Sequence, residues 1–102
     1  MSKREYIVRL LSPAETDLAE ILLYIAADNP SAAEKLANTI ERRLGGLQKH
    51  PHSGQIPSDH RIAQMGYRYL VIENYLFFYV VEDAKVFIHR IIHGARDYKE
   101  LL

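Results

Sequence analysis

Three β-rich runs near the end of the chain, separated by turns of only two residues, constrain this sequence more than any other feature. Tyr67–Ile72, Tyr75–Glu82 and Lys85–Ile92 are dense in β-branched and aromatic residues, which suit a pleated, mostly buried surface. Glu73-Asn74 and Asp83-Ala84 are short enough to reverse the chain only as hairpin turns, so the runs predict an antiparallel meander. The last run continues into a polar ending. Val86 to Tyr98 reads VFIHRIIHGARDY, and past Gly94 it delivers Arg96, Asp97 and Tyr98 as a cluster beyond the strand. A strand that hands charged side chains to the rim of a sheet holds them on a rigid base.

Upstream, the apolar period changes. Glu5 to Leu11 contains a short run of strand formers, Tyr6 to Leu11. Ser12 reads as a helix N-cap, with Pro13 at the first helical position and Glu15 three residues on as a capping box. Leu18, Ile21, Leu22, Ile25 and Ala26 then recur at spacings of three and four, which is one apolar helix face. Glu15, Asp17 and Glu20 sit in its first half, where the helix dipole favours negative charge. Asp28-Asn29-Pro30 ends this helix, because the residue before a proline avoids helical geometry.

A second helix starts at once, with Asn29 or Ser31 as cap and Pro30 in its first turn. Its stripe is Ala33, Leu36, Ala37, Ile40, Leu44 and Leu47, and Gly45-Gly46 weakens its end. So short a link between amphipathic helices predicts an antiparallel hairpin. His50 to Arg61 (HPHSGQIPSDHR) reads as the one clear loop. The expected architecture is α+β, in the order β-α-α-β-β-β, with the helical hairpin packed on an antiparallel sheet in two layers.

Composition narrows the function classes. A chain of 102 residues is one domain by size, here residues 1–102. Thirteen basic residues balance thirteen acidic ones, which argues against wholesale coating of nucleic-acid phosphates. There is no cysteine, so disulfides, thiolate metal sites and a cysteine nucleophile are excluded. The opening MSKREYIVRLL has no apolar run of signal-peptide length and nothing approaches a membrane span, so a cytoplasmic protein is expected.

The chemistry-bearing residues each have a structural alternative. His50, His52 and His60 share the loop with Asp59, but their spacing matches no compact ligand signature, and no metal or cofactor is expected. His89 and His93 are four residues apart, two full strand periods, which places them on one face. A histidine over an open groove is a candidate acid or base, whereas one satisfied by a hydrogen bond is structural. Arg68, Arg90 and Arg96 offer planar forks for a phosphate or carboxylate. Mid-strand Arg90 is expected rather to pair with an acid or a carbonyl. Tyr67, Tyr69, Tyr75, Phe77, Tyr79 and Tyr98 suit base stacking, but at a period of two they suit cross-strand packing better.

SPAETDLAEILLYI, NPSAAEKLANTIERRL, the loop with HPHSG and the ending HRIIHGARDY together resemble the RelE/ParE toxins of bacterial type II toxin–antitoxin (plasmid stabilisation) systems. The resemblance covers nearly the whole chain, and the ending is its most specific part. It implies a first strand lying beside the last. It also implies an antitoxin that wraps the helices and sheet, with Leu18, Leu22, Ile25, Leu36 and Ile40 as candidate contacts. RelE-like members cut messenger RNA on the ribosome with several sheet cations, whereas ParE-like members poison DNA gyrase. By that resemblance Arg68 and Arg96 keep the cutters' charges, while Leu70 and Leu76 stand where the cutters carry basic residues. Losing half the cations costs orders of magnitude in a reaction that works by stabilising phosphate charge. The implied function is therefore a gyrase poison with Arg90, His93, Arg96 and Tyr98 as target contacts. The runner-up is a ribosome-dependent endoribonuclease using Arg68, His93, Arg96 and Tyr98, and a toxin-like module without activity is the third reading.

Overall fold

A computed structural model describes residues 5–94 and 96–102. The first four residues of the basic opening, and Ala95 of the C-terminal motif, lie outside the described part. The order is β1 (Ile7–Leu10), α1 (Ser12–Asp28), α2 (Pro30–Gly45), α3 (His60–Gln64), β2 (Tyr67–Ile72), β3 (Tyr75–Glu82) and β4 (Lys85–His93). Two single-turn helices, Gly46–Gln48 and Tyr98–Glu100, complete it. The helical hairpin packs on a four-stranded sheet of order β1-β4-β3-β2, as an α+β fold. The meander β2-β3-β4 is antiparallel as expected, but β1 joins β4 in parallel, so the sheet is mixed. The chain from β1 through the helices and the other two strands to β4 supplies the long connection that parallel strands require.

Of the two helix starts in the hairpin, only one uses a side-chain cap. Asn29 Oδ1 accepts from Ala32 N–H at 3.1 Å, and Pro30 follows in the first turn. At α1 the expected capping box is not formed: Leu11 is the cap residue and no side chain caps the turn. The sheet sets this entry instead, because Leu11 N–H donates to the Ile88 carbonyl at 2.9 Å while its own carbonyl accepts from Glu15 N–H.

The expected loop is more ordered than its composition implies. Asp59 Oδ1 accepts from Ile62 N–H at 3.1 Å and starts α3, which buries Ile62. Gln55 pairs with Tyr69 as an isolated antiparallel bridge along the β2 edge. Gly54 N–H donates to the Tyr79 hydroxyl at 2.8 Å. HPHSG is thus a latch, held also by Arg68, whose Nη1 donates to the His52 and Gly54 carbonyls, each at 3.2 Å.

The core lies between helices and sheet and includes Leu36, Ile40, Leu44, Leu47, Phe77, Tyr79, Ile88 and Ile91. A second buried patch lies behind the sheet. Phe78 is 0% exposed although it points away from Phe77 and Tyr79, because Tyr98 covers it with ring centroids 4.9 Å apart. The C-terminal turn therefore folds back across this second face.

Candidate functional site

β4 carries one residue more than β3 can pair. Ile88 stands opposite Tyr79 and Arg90 opposite Phe78, leaving His89 as a bulge. That bulge corrects the expectation that His89 and His93 share a face. His93 stands opposite Tyr75 and meets its ring edge-on at 5.6 Å, on the helix side. His89 lies on the other side, where its ring meets Tyr67 edge-on and its Nδ1 is 3.1 Å from the Tyr67 hydroxyl.

Burial lowers the pKa of His89, partly offset by the charge of Glu82, and raises that of Tyr67. The unfolded chain therefore takes up the His89 proton first as pH falls. The folded state keeps its full advantage above the ordinary histidine pKa of about 6.5 and loses it progressively below. His89→Gln is expected to flatten the fall in stability between about pH 7 and pH 5. Urea titrations of both proteins at several pH values test this; parallel curves would show that His89 is not the titrating group.

Arg90 is engaged structurally. Its Nε donates to Asp17 Oδ2 at 2.7 Å, Nη2 to Asp17 Oδ1 at 3.0 Å, and Nη1 to the Leu101 carbonyl at 3.2 Å. Hydrogen bonding to Asp17 raises the pKa of Arg90, against the opposing effect of burial. Asp17 Oδ2 also accepts from Ile91 N–H at 2.9 Å. This is possible because β1 pairs with β4 only from Lys85 to Ile88, leaving the remainder of that edge open to α1. No spacing singles out Asp17 for this role; a mid-strand arginine only calls for some acceptor.

The C-terminal residues expected to act together are only partly gathered. Asp17, Glu20, Tyr75, Arg90, His93, Arg96 and Leu101 border a cleft of about 140 Å³. Arg96 is exposed there, and its N–H donates to the His93 carbonyl at 3.0 Å. Tyr98 lies on Phe78, on the second face. Arg68 stands opposite Tyr79, on the helix side, and its Nη1 bonds hold the latch. Arg68 and Tyr98 thus sit on opposite faces of the sheet, so the set Arg68, His93, Arg96 and Tyr98 does not converge. Among the described residues, no three of the His, Asp and Glu side chains are grouped to hold a metal ion.

The predicted partner contacts also divide. Leu36 and Ile40 are 8% and 3% exposed, inside the core, so their side chains are closed to a partner in this fold. Leu18 and Leu22 border an open groove of about 560 Å³ between α1 and β1, together with Val8, Arg9 and Leu10. Ile7 and Leu11 direct their amides to β4, so those of Val8 and Leu10 point outward along the sheet edge. Ile25 borders a separate depression at the hairpin tip beside Tyr24, which is 82% exposed.

A sequence model described as the ParE toxin of the type II toxin–antitoxin system parDE matches residues 8–98. The chain belongs to the ParE toxin family. As such it is the toxin component of a type II toxin–antitoxin system. Among curated protein sequences, none matches it significantly. The chromosomal ParDE toxin–antitoxin system of Pseudomonas aeruginosa contains a similar fold, with a TM-score of 0.72 and 20% identity over 89% of this chain and 98% of that one. The RelBE2 toxin–antitoxin complex of Mycobacterium tuberculosis contains another, with a TM-score of 0.62 and 24% identity over 87% of this chain and 98% of that one. At these identities the two structures establish the ParE/RelE-like fold. Among the described residues of this ParE-family chain, no helix is long and apolar enough to cross a membrane.

Proposed function

We propose that this ParE-family toxin arrests growth by binding DNA gyrase through the C-terminal rim, with Arg96 and His93 at the cleft and Tyr98 on the second face as contact residues. The carrying observation is that Arg68 and Tyr98 stand on opposite sheet faces while Arg68 and Arg90 are engaged in hydrogen bonds. Stabilising a cleaved phosphodiester needs donors aimed at one developing charge, and this distribution suits contact with a protein better. Leu70 buried in the core points the same way, since it stands where the cutting relatives place a cation. A cognate antitoxin is the second partner. The open β1 edge and the α1 groove with Leu18 and Leu22 offer it a strand-pairing edge beside an apolar floor.

Induction of the chain without an antitoxin, with supercoiling, DNA-break and transcript-end assays on the same cells, tests the target. Blocked supercoiling or broken DNA with intact transcripts is the expected result. Codon-positioned transcript ends would overturn it in favour of ribosome-dependent RNA cleavage, and unaffected growth would mark an inactive module. Arg96→Ala is expected to relieve the arrest with an unchanged circular dichroism spectrum, and to weaken gyrase binding by roughly tenfold, as loss of a charged hydrogen-bonding contact does. Unchanged arrest and affinity would exclude Arg96 as a contact.

A further inference from the structure

Asp17 sits on α1, on the wall of the cleft that His93 and Arg96 also border, and three donors converge on its carboxylate: Nε and Nη2 of Arg90 and the N–H of Ile91. Arg90 in turn donates its Nη1 to the carbonyl of Leu101. One carboxylate thus joins the helix layer, the unpaired half of the β4 edge and the C-terminal turn. Among the described residues, that turn also makes short local bonds, Leu101 N–H to the Tyr98 carbonyl and Lys99 N–H to Asp97 Oδ1, and the ring contact between Tyr98 and Phe78. None of these local bonds reaches the helix layer. Asp17 and Arg90 are both partly buried, at 13% and 29% side-chain exposure, and the fork between them is bidentate, so the link has direction as well as charge.

We infer that Asp17 is a positioning residue for the target-contact rim, setting the place of Arg96 and Tyr98 through Arg90 without touching the target itself. The inference rests on the reading of the rim as the contact site. It also gives α1 two duties. Leu18, the next residue, borders the groove beside β1, so an antitoxin seated there presses on the helix that anchors the rim.

The test is hydrogen exchange on the purified full chain, wild type against Asp17→Asn, alongside growth arrest on induction at matched soluble levels. Asparagine keeps an acceptor for Ile91 and removes the charge and one acceptor from Arg90. Exchange at the amides of Lys99 and Leu101 is expected to quicken on the order of tenfold, with core-strand amides unchanged. The arrest should weaken, and Asp17→Glu should restore part of both. Unchanged tail exchange would overturn the inference. So would faster exchange with full arrest in Asp17→Asn while Arg96→Ala still relieves it. If Arg96→Ala leaves the arrest intact, the contact-site reading fails by itself, and tail exchange alone then decides whether Asp17 holds the turn. Should Asp17→Asn fail to fold, Arg90→Lys carries the same test, since it leaves Asp17 its bond from Ile91.

Discussion

Gly54→Ala is expected to cost about 3 kcal/mol of stability, at the upper end of what overpacking usually costs. A Cβ at this position would lie 2.5 Å from the Tyr79 hydroxyl oxygen, 2.8 Å from Tyr79 Cε1 and 2.9 Å from the Tyr69 carbonyl oxygen. None of these can withdraw cheaply. Tyr79 is fully buried and its hydroxyl already accepts the Gly54 N–H, while the Tyr69 carbonyl accepts from Gln55 N–H at 2.8 Å. Burial, the first cause, raises the Tyr79 pKa, so the hydroxyl stays protonated and neutral. Equilibrium urea unfolding measures the loss. Tyr79→Phe placed on top of Gly54→Ala should recover only part of it, because the ring carbon and the carbonyl still crowd the methyl group. A loss below about 1 kcal/mol would show that the loop slides freely on the sheet.

The second large effect lies on the opposite face. Phe78→Ala is expected to cost about 3 to 4 kcal/mol, as for other fully buried phenylalanines. Phe78 is 0% exposed, between Tyr69 at 5.4 Å and Tyr98 at 4.9 Å between ring centroids. Its removal also takes away the surface on which Tyr98 rests. Urea unfolding should therefore report the loss of stability, and exchange at the Leu101 amide should rise with it. Stability lost with the tail still protected would mean that hydrogen bonds hold the C-terminal turn without the ring contact.

Most of the architecture was legible because its signals are local. The runs Tyr67–Ile72 and Tyr75–Glu82 are the observed strands, and the third extends by one residue, to His93. Pro30 and Asn29 placed the α1–α2 junction correctly, since a cap and a proline act within one turn. The expectation that Arg90 pairs with an acid or a carbonyl was met by both. Ser12 misled because its capping signal competes with the Leu11 bond to β4, which lies far away in the sequence. α3 was missed among turn-rich residues, although Asp59 three residues before Ile62 was a usable start signal.

The site was less legible than the fold. The faces of His89 and His93 depended on a bulge, which a simple period of two cannot reveal. Leu36 and Ile40 belonged to an apolar stripe, and a stripe does not say whether its area goes to the core or to a partner. The latch role of Arg68 and the acceptor role of Asp17 both join residues far apart in the chain, 14 and 73 positions respectively, where spacing carries no information.

The bulge at His89 has a consequence for how this protein tolerates change in length. On either side of it the ladder is in phase: Ile88 meets Tyr79, Arg90 meets Phe78, and Ile91 meets Phe77. A chain shortened by one residue at His89 would keep every one of those pairings and every inward side chain, giving up the contact with Tyr67. A deletion at Val86 or Phe87 has no such slack, since both stand in register with β1 as well as β3. β4 therefore has a splice point, one place where a residue can be lost while the C-terminal rim stays in step with the rest of the sheet.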